Sequence, residues 1–169
     1  IGSGPGWYLA RVLEAMPDRA GLALDNSKFA ARKAAKCHPR AGAVVADNWD
    51  ELPVMTGSAA AAINVFSPRN GLGIHRILGT GRRLVVVTPG PDHLQELIAP
   101  FGMISVDSSK QQRLEKSLGE AFEMDELPEA TVIQWQMELE REAVRDLVSM
   151  VPSAGRLGKE ELDAATAGL

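Results

Sequence analysis

The stretch Ile1-Gly2-Ser3-Gly4-Pro5-Gly6-Trp7 opens the chain and decides the fold. Its three glycines allow the backbone to approach another group closely, and they leave N–H groups free to face that group. Apolar residues at helical spacing follow as far as Met16, which indicates a turn leading into a helix. Turns of this kind are fed by a buried strand, and we expect most of that strand to precede Ile1.

Beyond the turn, apolar runs alternate with segments of helical spacing, which is the pattern of an α/β protein. The predicted sheet is mostly parallel, with helices on both of its faces. The predicted strands are Gly21–Leu24, Ala43–Ala46, Ala60–Phe66, Arg83–Thr88 and Thr131–Leu139. The first predicted helix follows the glycine turn and ends at Met16, and the second has its N-cap at Ser27 and ends at about Lys36. The other predicted helices are Ile74–Leu78, Leu94–Ile98, Gln111–Phe122, Arg141–Met150 and Lys159–Ala167.

Parallel strands gather ligand-binding residues at their carboxyl ends, along one edge of the sheet. The polar residues that we expect to meet there are Asp25, Asp47, Ser67 and the stretch Thr88–His93.

Composition limits the class of protein. With 169 residues, 45% of them hydrophobic, the chain suits one domain covering residues 1–169. The net charge of −4 argues against a general polyanion binder, so any contact with nucleic acid is expected to be local. Cys37 is the only cysteine, which excludes a disulfide framework or a four-ligand zinc site and favours a cytoplasmic setting. The apolar runs are too short to span a bilayer, so we expect no membrane partner.

The spacing of the glycines distinguishes between ligand classes. A dinucleotide site has the pattern G-x-G-x-x-G, whose third glycine allows close packing of helix and strand beside the pyrophosphate. Here Gly6 comes one position early, and the indole of Trp7 stands where that pattern needs a glycine. The spacing therefore favours S-adenosylmethionine, which has no phosphate, over the cofactor of a dinucleotide oxidoreductase. The residues of this turn assigned to its binding are Gly2, Gly4, Gly6 and Trp7.

An acidic residue ends the strand after the first helix. Asp25 lies 21 residues after Gly4, where its carboxylate can accept both ribose hydroxyl protons. The alternative is a solvated aspartate that starts a turn at Asp25-Asn26-Ser27.

A second polar pair follows the next strand. Asp47 and Asn48 can bond the adenine edge of the same cofactor, with Trp49 as an apolar wall. An Asx turn at Asp47 with Trp49 in the core explains the same residues equally well.

Several strings resemble those of one enzyme family. They are GSGPGWYL (residues 2–9), LALDNSKFAARKAAKCHPRA (22–41), VVADNWDELPV (44–54), NVFSPRN (64–70), LVVVTPGPDHLQEL (84–97) and MVPSA (150–154). Over nearly its whole length the chain thereby resembles the bacterial 23S rRNA guanine-N1 methyltransferases. That family includes members conferring resistance to macrolides such as tylosin. The FSPRN and TPGPDHLQEL strings are the most specific.

The resemblance implies a Rossmann-like class I fold that binds S-adenosylmethionine and methylates N1 of a guanine in a domain II hairpin of 23S rRNA. It also implies that Gly6, Trp7 and His93 contact the cofactor. Family members carry an N-terminal zinc ribbon thought to help grip RNA, so we expect zinc only in a segment preceding this chain. The family's last strand has no counterpart after Leu162. A homodimer is kept as an alternative to a monomer.

The segment Ser67-Pro68-Arg69-Asn70 follows the predicted strand Ala60–Phe66, where the resemblance places the target base. We expect these four residues to bind substrate, and an ordinary strand-to-helix turn is the alternative. Guanine N1 carries a proton at neutral pH, so a positioned acceptor is expected to assist methyl transfer. The sequence leaves that catalytic residue unassigned.

A dense basic cluster follows the predicted strand Gly21–Leu24. It either holds an RNA backbone or is a solvated helix face, and we prefer the second interpretation. Its members are Arg32, Lys33, Lys36, His38 and Arg40. Two other functions stay open. One is a methyltransferase of the same fold acting on a small metabolite, and the other is a non-catalytic module that binds the cofactor or an antibiotic.

Overall fold

A computed structural model describes residues 1–103, 118–122, 131–150 and 166 of the chain. Two compact units are present. The first comprises Ile1–Thr88 and Gln111–Glu126, and the second comprises Pro89–Lys110 and Leu127–Leu169. Helices alternate with parallel strands in the first unit, so the α/β prediction is confirmed.

In its described residues, the first unit contains four parallel strands in two pairs. β1 pairs with β2 from Gly21 opposite Ala41, and β3 pairs with β4 from Ala61 opposite Arg83. The four strands predicted here are confirmed, with ends displaced by at most two residues. The elements are α1 (Trp7–Ala15), β1 (Gly21–Asp25), α2 (Lys28–Ala34), β2 (Ala41–Val45), β3 (Ala61–Val65), α3 (Gly71–Leu78) and β4 (Arg83–Val87).

The segment before the glycine turn lies between the two strand pairs. The Ile1 nitrogen donates to the Ile63 carbonyl of β3 at 2.8 Å, and the Ser3 N–H donates to the Leu24 carbonyl of β1 at 3.0 Å. Residues 1–3 therefore occupy the place between β1 and β3 where a strand feeding the turn belongs.

Side chains of β1 show that helices cover opposite faces of the strands. A Cβ placed on Gly21 would lie 2.5 Å from the Leu9 side chain of α1. Leu24, an odd number of positions away, points to the other face, where it joins the main core cluster. That cluster consists of Leu24, Leu52, Ala62, Ile74, Ile77 and Leu78, the last three from α3.

Polar side chains fix the helix ends. The Ser27 hydroxyl accepts from the Ala30 N–H at 3.3 Å at the start of α2, which confirms the predicted N-cap. The Arg40 guanidinium donates to the carbonyls of Leu13, Met16 and Arg19, and so satisfies acceptors at the end of α1. Arg40 thus has a structural task that the basic-cluster interpretation did not foresee.

The second unit has its own small core. Helices α4 (Gln95–Phe101) and α5 (Arg141–Met150) contribute Phe101, Val144 and Val148, with Leu97 and Met103 packed against them. Val144 and Val148 stand one helical turn apart, which places both on the buried stripe of α5.

One predicted element is wrong. Residues 131–140 form neither strand nor helix, and Ile133 and Trp135 are 76% and 69% exposed. The alternation in this stretch matches a strand, but a strand needs a neighbouring ladder, and none pairs with it in the described ranges. Most of the predicted helices Gln111–Phe122 and Lys159–Ala167 lies outside the described residues. Across the portion of the chain that is described, no helix combines the length and apolarity needed to cross a membrane.

Candidate functional site

The glycine turn is tied to the end of β1 by the Asp25 carboxylate. Its Oδ2 accepts from the Gly4 N–H at 2.8 Å, and its Oδ1 accepts from the Ser27 N–H at 2.9 Å. Bonds from backbone N–H groups to a carboxylate are charge-assisted and about twice as strong as neutral ones. Asp25 therefore holds the turn in place. A carboxylate has about four acceptor positions, so capacity for further donors remains.

The three glycines of the turn are required for different reasons. All adopt positive φ, at +60° for Gly2, +53° for Gly4 and +90° for Gly6. A Cβ on Gly6 would lie 2.9 Å from the Cys37 sulfur and 3.0 Å from the Ala34 Cα, so this glycine allows α1 to begin against the end of α2. A Cβ on Gly4 would meet nothing within 4 Å, so this part of the backbone faces open space.

Gly2 joins the turn to two other strand ends. A Cβ at this position would collide with the Ser67 side chain after β3, and it would lie 3.4 Å from the Asn48 amide nitrogen after β2. Asn48 in turn donates to the Ser67 hydroxyl at 3.0 Å. The predicted meeting of strand ends is therefore observed for Asp25 and Ser67, which both lie against the glycine turn, and Asn48 joins Ser67 there. That Asp47 and Thr88–His93 belong to the same meeting stays a prediction. We call the set Gly2–Gly6, Asp25, Asn48 and Ser67–Asn70 the strand-end site.

The chain leaves β3 in a strained conformation. Phe66 has φ +52°, in the left-handed region that bulky residues rarely adopt. Its N–H still donates to the Val87 carbonyl at 3.0 Å, which continues the ladder to this residue. The strain turns the backbone out of the sheet at Ser67, and such outliers concentrate where function imposes a geometry.

A buried amide that the sequence analysis missed holds the same segment. The Asn64 side chain is fully buried within β3 and donates to the Pro68 carbonyl at 3.0 Å. The oxygens of Asn64 and Asn48 accept no hydrogen bond from the described residues. The available signal was one asparagine inside the apolar run Ala60–Phe66, because a polar residue there needs a partner.

Asn70 has a local structural role at the start of α3. Its Oδ1 accepts from the Gly73 N–H at 2.8 Å, and its amide donates to the Asp50 carbonyl at 3.2 Å. Pro68 is exposed, and Arg69 and Asn70 are half-buried. Burial lowers the pKa of the Arg69 guanidinium, because removal from water disfavours the charged form.

The residues after β2 form an Asx turn. The Asp47 carboxylate accepts from the Trp49 N–H at 2.9 Å. Trp49 is 66% exposed, so the alternative that placed it in the core is wrong. Its ring stays available as an apolar wall beside Asn48.

Trp7 lies on the surface at the start of α1. Its indole is 59% exposed, packs edge-on against Tyr8 at 5.0 Å between ring centroids, and carries the Arg11 guanidinium 5.6 Å from its centre. Trp7 thus follows the turn, as predicted, with an open ring face available to a partner.

The histidines separate into different places. His93 belongs to the second unit, where its N–H donates to the Gly90 carbonyl at 3.2 Å, and its predicted cofactor contact stays a prediction. His38 accepts from the Arg40 N–H at 3.1 Å, and the His75 ring packs edge-on against Phe122. Both contacts agree with the structural roles expected for these two. Within the described ranges, no three His, Cys, Asp or Glu side chains gather as metal ligands.

Comparison with known proteins identifies relatives, although no family model matches the chain. A 23S rRNA (guanine(748)-N(1))-methyltransferase of Streptomyces fradiae is 45% identical over 162 residues, which is 96% of this chain and 57% of the relative. A putative 23S rRNA (guanine-N(1)-)-methyltransferase of Micromonospora griseorubida is 43% identical over 168 residues, 99% of this chain and 56% of the relative. The chain spans a little over half the length of these curated relatives. The resemblance seen in the sequence is thus confirmed, since almost all of the chain is similar to proteins named 23S rRNA guanine-N1 methyltransferases.

Proposed function

We propose that this protein transfers a methyl group from S-adenosylmethionine to N1 of a guanine in 23S rRNA. The observation that carries the proposal is the strand-end site, where a glycine turn fixed by Asp25 meets the segment Ser67–Asn70. The names of the two relatives support the choice of reaction and substrate. By family resemblance, the target guanine lies in the domain II hairpin, where methylation would oppose macrolide binding.

The proposed fold is a Rossmann-like class I methyltransferase domain covering residues 1–169. Residues 1–3 between β1 and β3, with β2 and β4 outside them, support the strand order of such a sheet. The packing of α1 on one face of β1 and of α3 on the other also agrees with this fold.

The residues present fit the proposed cofactor. Gly4 leaves its backbone facing open space, as close approach of a ligand requires. Beside it, Asp25 offers its remaining acceptor positions to the ribose hydroxyls. Asn48 presents a buried oxygen with no described donor, which suits an adenine amine. Asp47, Trp7 and His93 complete the proposed set, His93 on the family resemblance alone.

The methyl transfer itself needs positioning more than covalent catalysis. When bound, S-adenosylmethionine would supply a methyl group on a sulfonium, so that the bond from guanine N1 to the methyl carbon would form in line as the carbon–sulfur bond breaks and the thioether leaves. The proton on N1 would pass to an acceptor, a role for which no side chain is assigned. The chain's task is to hold the guanine so that N1 lies on that line. Ser67 and Pro68, anchored by Asn48 and Asn64, form a rigid support for the base, and the half-buried Arg69 adds a cation for the RNA.

Incubation of the protein with methyl-labelled S-adenosylmethionine and unmodified 23S rRNA tests the proposal. Unmodified 16S rRNA is the matched substrate control. We expect label in 23S rRNA alone, and less of it with an Asp25→Ala variant at the same cofactor concentration. Cofactor binding by calorimetry without any transfer would instead support a non-catalytic binding module, and transfer to a small metabolite would support that alternative enzyme.

A further inference from the structure

The sequence around α2 has an unusual distribution of charge. No aspartate or glutamate occurs from residue 26 to residue 46, although the chain has 22 acidic and 18 basic residues and a net charge of −4. Five cations fall in this interval. Arg40 is committed to the carbonyls at the end of α1, which leaves Lys28, Arg32, Lys33 and Lys36.

Helical geometry places these cations on one side of α2. At 3.6 residues per turn, Lys28, Arg32 and Lys33 fall within an arc of about 140°. The small residues Ala31 and Ala34 occupy the opposite side and are buried. Lys36 is exposed in the turn that follows the helix. We call Lys28, Arg32, Lys33 and Lys36 the basic face.

The cations of the basic face lack ion-pair partners among the described residues. Surface cations on a helix are commonly interleaved with acids at i+3 or i+4, which is absent from this sequence interval. The positive potential of the face is therefore available to an anionic partner.

An exposed aromatic ring stands within the same arc. Phe29 is 67% exposed, and the Lys28 ammonium lies 5.3 Å from its ring centroid. An open phenyl ring among cations matches the surfaces that bind single-stranded nucleic acid, where bases stack on rings while cations hold phosphates. An acidic protein partner would need only the cations and would have no use for the exposed ring.

Helix α2, which carries the basic face, adjoins the strand-end site. Its N-cap Ser27 donates through its N–H to the Asp25 carboxylate, and Ala34, on the side opposite the basic face, packs against Gly6 of the turn. An RNA strand that presents a base near the turn therefore passes close to α2.

We infer that the basic face and Phe29 form a binding site for unpaired RNA, with the four cations on phosphates and the phenyl ring under a base. This inference rests on the proposed function, because it concerns how the same RNA substrate is held. The solvated-face interpretation that the sequence alone favoured is its alternative.

Two double variants with equal loss of charge test the inference. Arg32→Gln/Lys33→Gln removes two cations of the basic face. Arg82→Gln/Arg83→Gln removes two exposed cations at the amino end of β4, the edge of the strands away from the turn. Binding to 23S rRNA and to an unstructured oligouridine is measured against salt concentration, with circular dichroism melts as a folding control.

For the basic-face variant we expect about tenfold weaker binding to both RNAs, because phosphate contacts do not depend on sequence. The slope of log K against log salt should fall by about 1.4, or 0.7 for each lost contact with single strands. Phe29→Ala should weaken oligouridine binding about tenfold with an unchanged slope, since stacking releases no counterion. The Arg82/Arg83 variant should bind like wild type.

Unchanged affinity and slope in a folded basic-face variant overturn the inference, as does an equal loss in the Arg82/Arg83 variant. A variant that loses binding to anionic vesicles but not to RNA overturns it too. Lys28→Gln/Lys36→Gln provides a second test should the first pair unfold. Absence of guanine methylation by the wild-type protein would count against the proposed function, whereas these binding results judge the basic face separately.

Discussion

The strand-end site has two halves that are held by different interactions. The turn half is Gly2–Gly6 with Asp25, and the loop half is Ser67–Asn70 with the side chains of Asn48 and Asn64 that hold it. In the turn half, the Asp25 carboxylate accepts two backbone N–H bonds at 2.8 and 2.9 Å. In the loop half, the neutral amides of Asn48 and Asn64 hold Ser67 and Pro68 by one bond each at 3.0 Å, and both amide oxygens stay unpaired among the described residues. The turn half is complete by itself, while the loop half retains buried acceptors for incoming donors.

This difference fits two ligands of unlike character. A cofactor that is identical in every turnover suits a rigid turn fixed by charge-assisted bonds. A base that enters from RNA is supported by the neutral loop half, where each buried unpaired oxygen costs about 1–3 kcal/mol until a donor satisfies it, as the adenine amine would for Asn48.

The largest expected effect comes from Gly6→Ala in the turn half. Left-handed φ costs an alanine about 1–2 kcal/mol, and forced contact with Ala34 and Cys37 adds about 1–3 kcal/mol. We expect the free energy of unfolding to fall by their sum in urea titrations. Gly4→Ala is the matched control, because an alanine there also has a left-handed φ but meets no neighbouring atom. Its free energy of unfolding should fall only by the cost of that φ. Its cofactor affinity should fall more than that of Gly6→Ala. Equal stability losses would contradict the packing described for Gly6.

Replacement of Asp25 addresses the turn half directly. Asp25→Ala should weaken S-adenosylmethionine binding by about 1–3 kcal/mol in calorimetry, through loss of charge-assisted bonds. Because Asp25 also holds Gly4, an analogue lacking both ribose hydroxyls separates the two roles. The variant should lose less affinity for this analogue than for the parent cofactor. An identical loss would mean that Asp25 only shapes the turn, and no loss would refute both roles.

The loop half is tested by Asn64→Leu, which preserves side-chain size. Loss of the bond to Pro68 should lower the free energy of unfolding by about 1 kcal/mol. The rate of methyl transfer should fall while the dissociation constant of S-adenosylmethionine is unchanged, because Asn64 supports only the loop half. A weaker cofactor affinity would show that the halves are not separable.

The smallest effect is expected for Asp47→Ser at the rim of the turn half. Serine can still accept from the Trp49 N–H, so stability should change by less than about 0.5 kcal/mol. Cofactor affinity should fall by about 1 kcal/mol if the carboxylate bonds the adenine edge. Unchanged cofactor affinity would mean that Asp47 only forms the Asx turn and does not bind the cofactor.

Local patterns predicted the position of the turn half, whereas its contacts with the cofactor stay predictions. The spacing of the glycines and the acidic strand end at Asp25 follow from rules about neighbouring elements, and the structure brings Gly4 and Asp25 into contact. The loop half was predicted only in position. The bond from Asn64 to Pro68 depends on how the chain leaves β3 at Phe66, and the positive φ of that residue has no signature in the sequence.

Long-range pairing was the least predictable. The alternating stretch Thr131–Leu139 has the period of a strand but no ladder in the described residues, because alternation specifies a face and not a partner. Likewise, the run of basic residues around Arg40 gave no sign that its guanidinium would donate hydrogen bonds to the carbonyls at the end of α1.

The central claim is that the two halves together methylate guanine N1. Its most direct test is mass spectrometry of nucleosides from 23S rRNA treated with the protein and S-adenosylmethionine. Wild type should yield 1-methylguanosine, whereas Asp25→Ala and Asn64→Leu should yield less, the first through cofactor affinity and the second through rate. Absence of 1-methylguanosine, or methylation at another atom by a protein that binds the cofactor, would contradict the account.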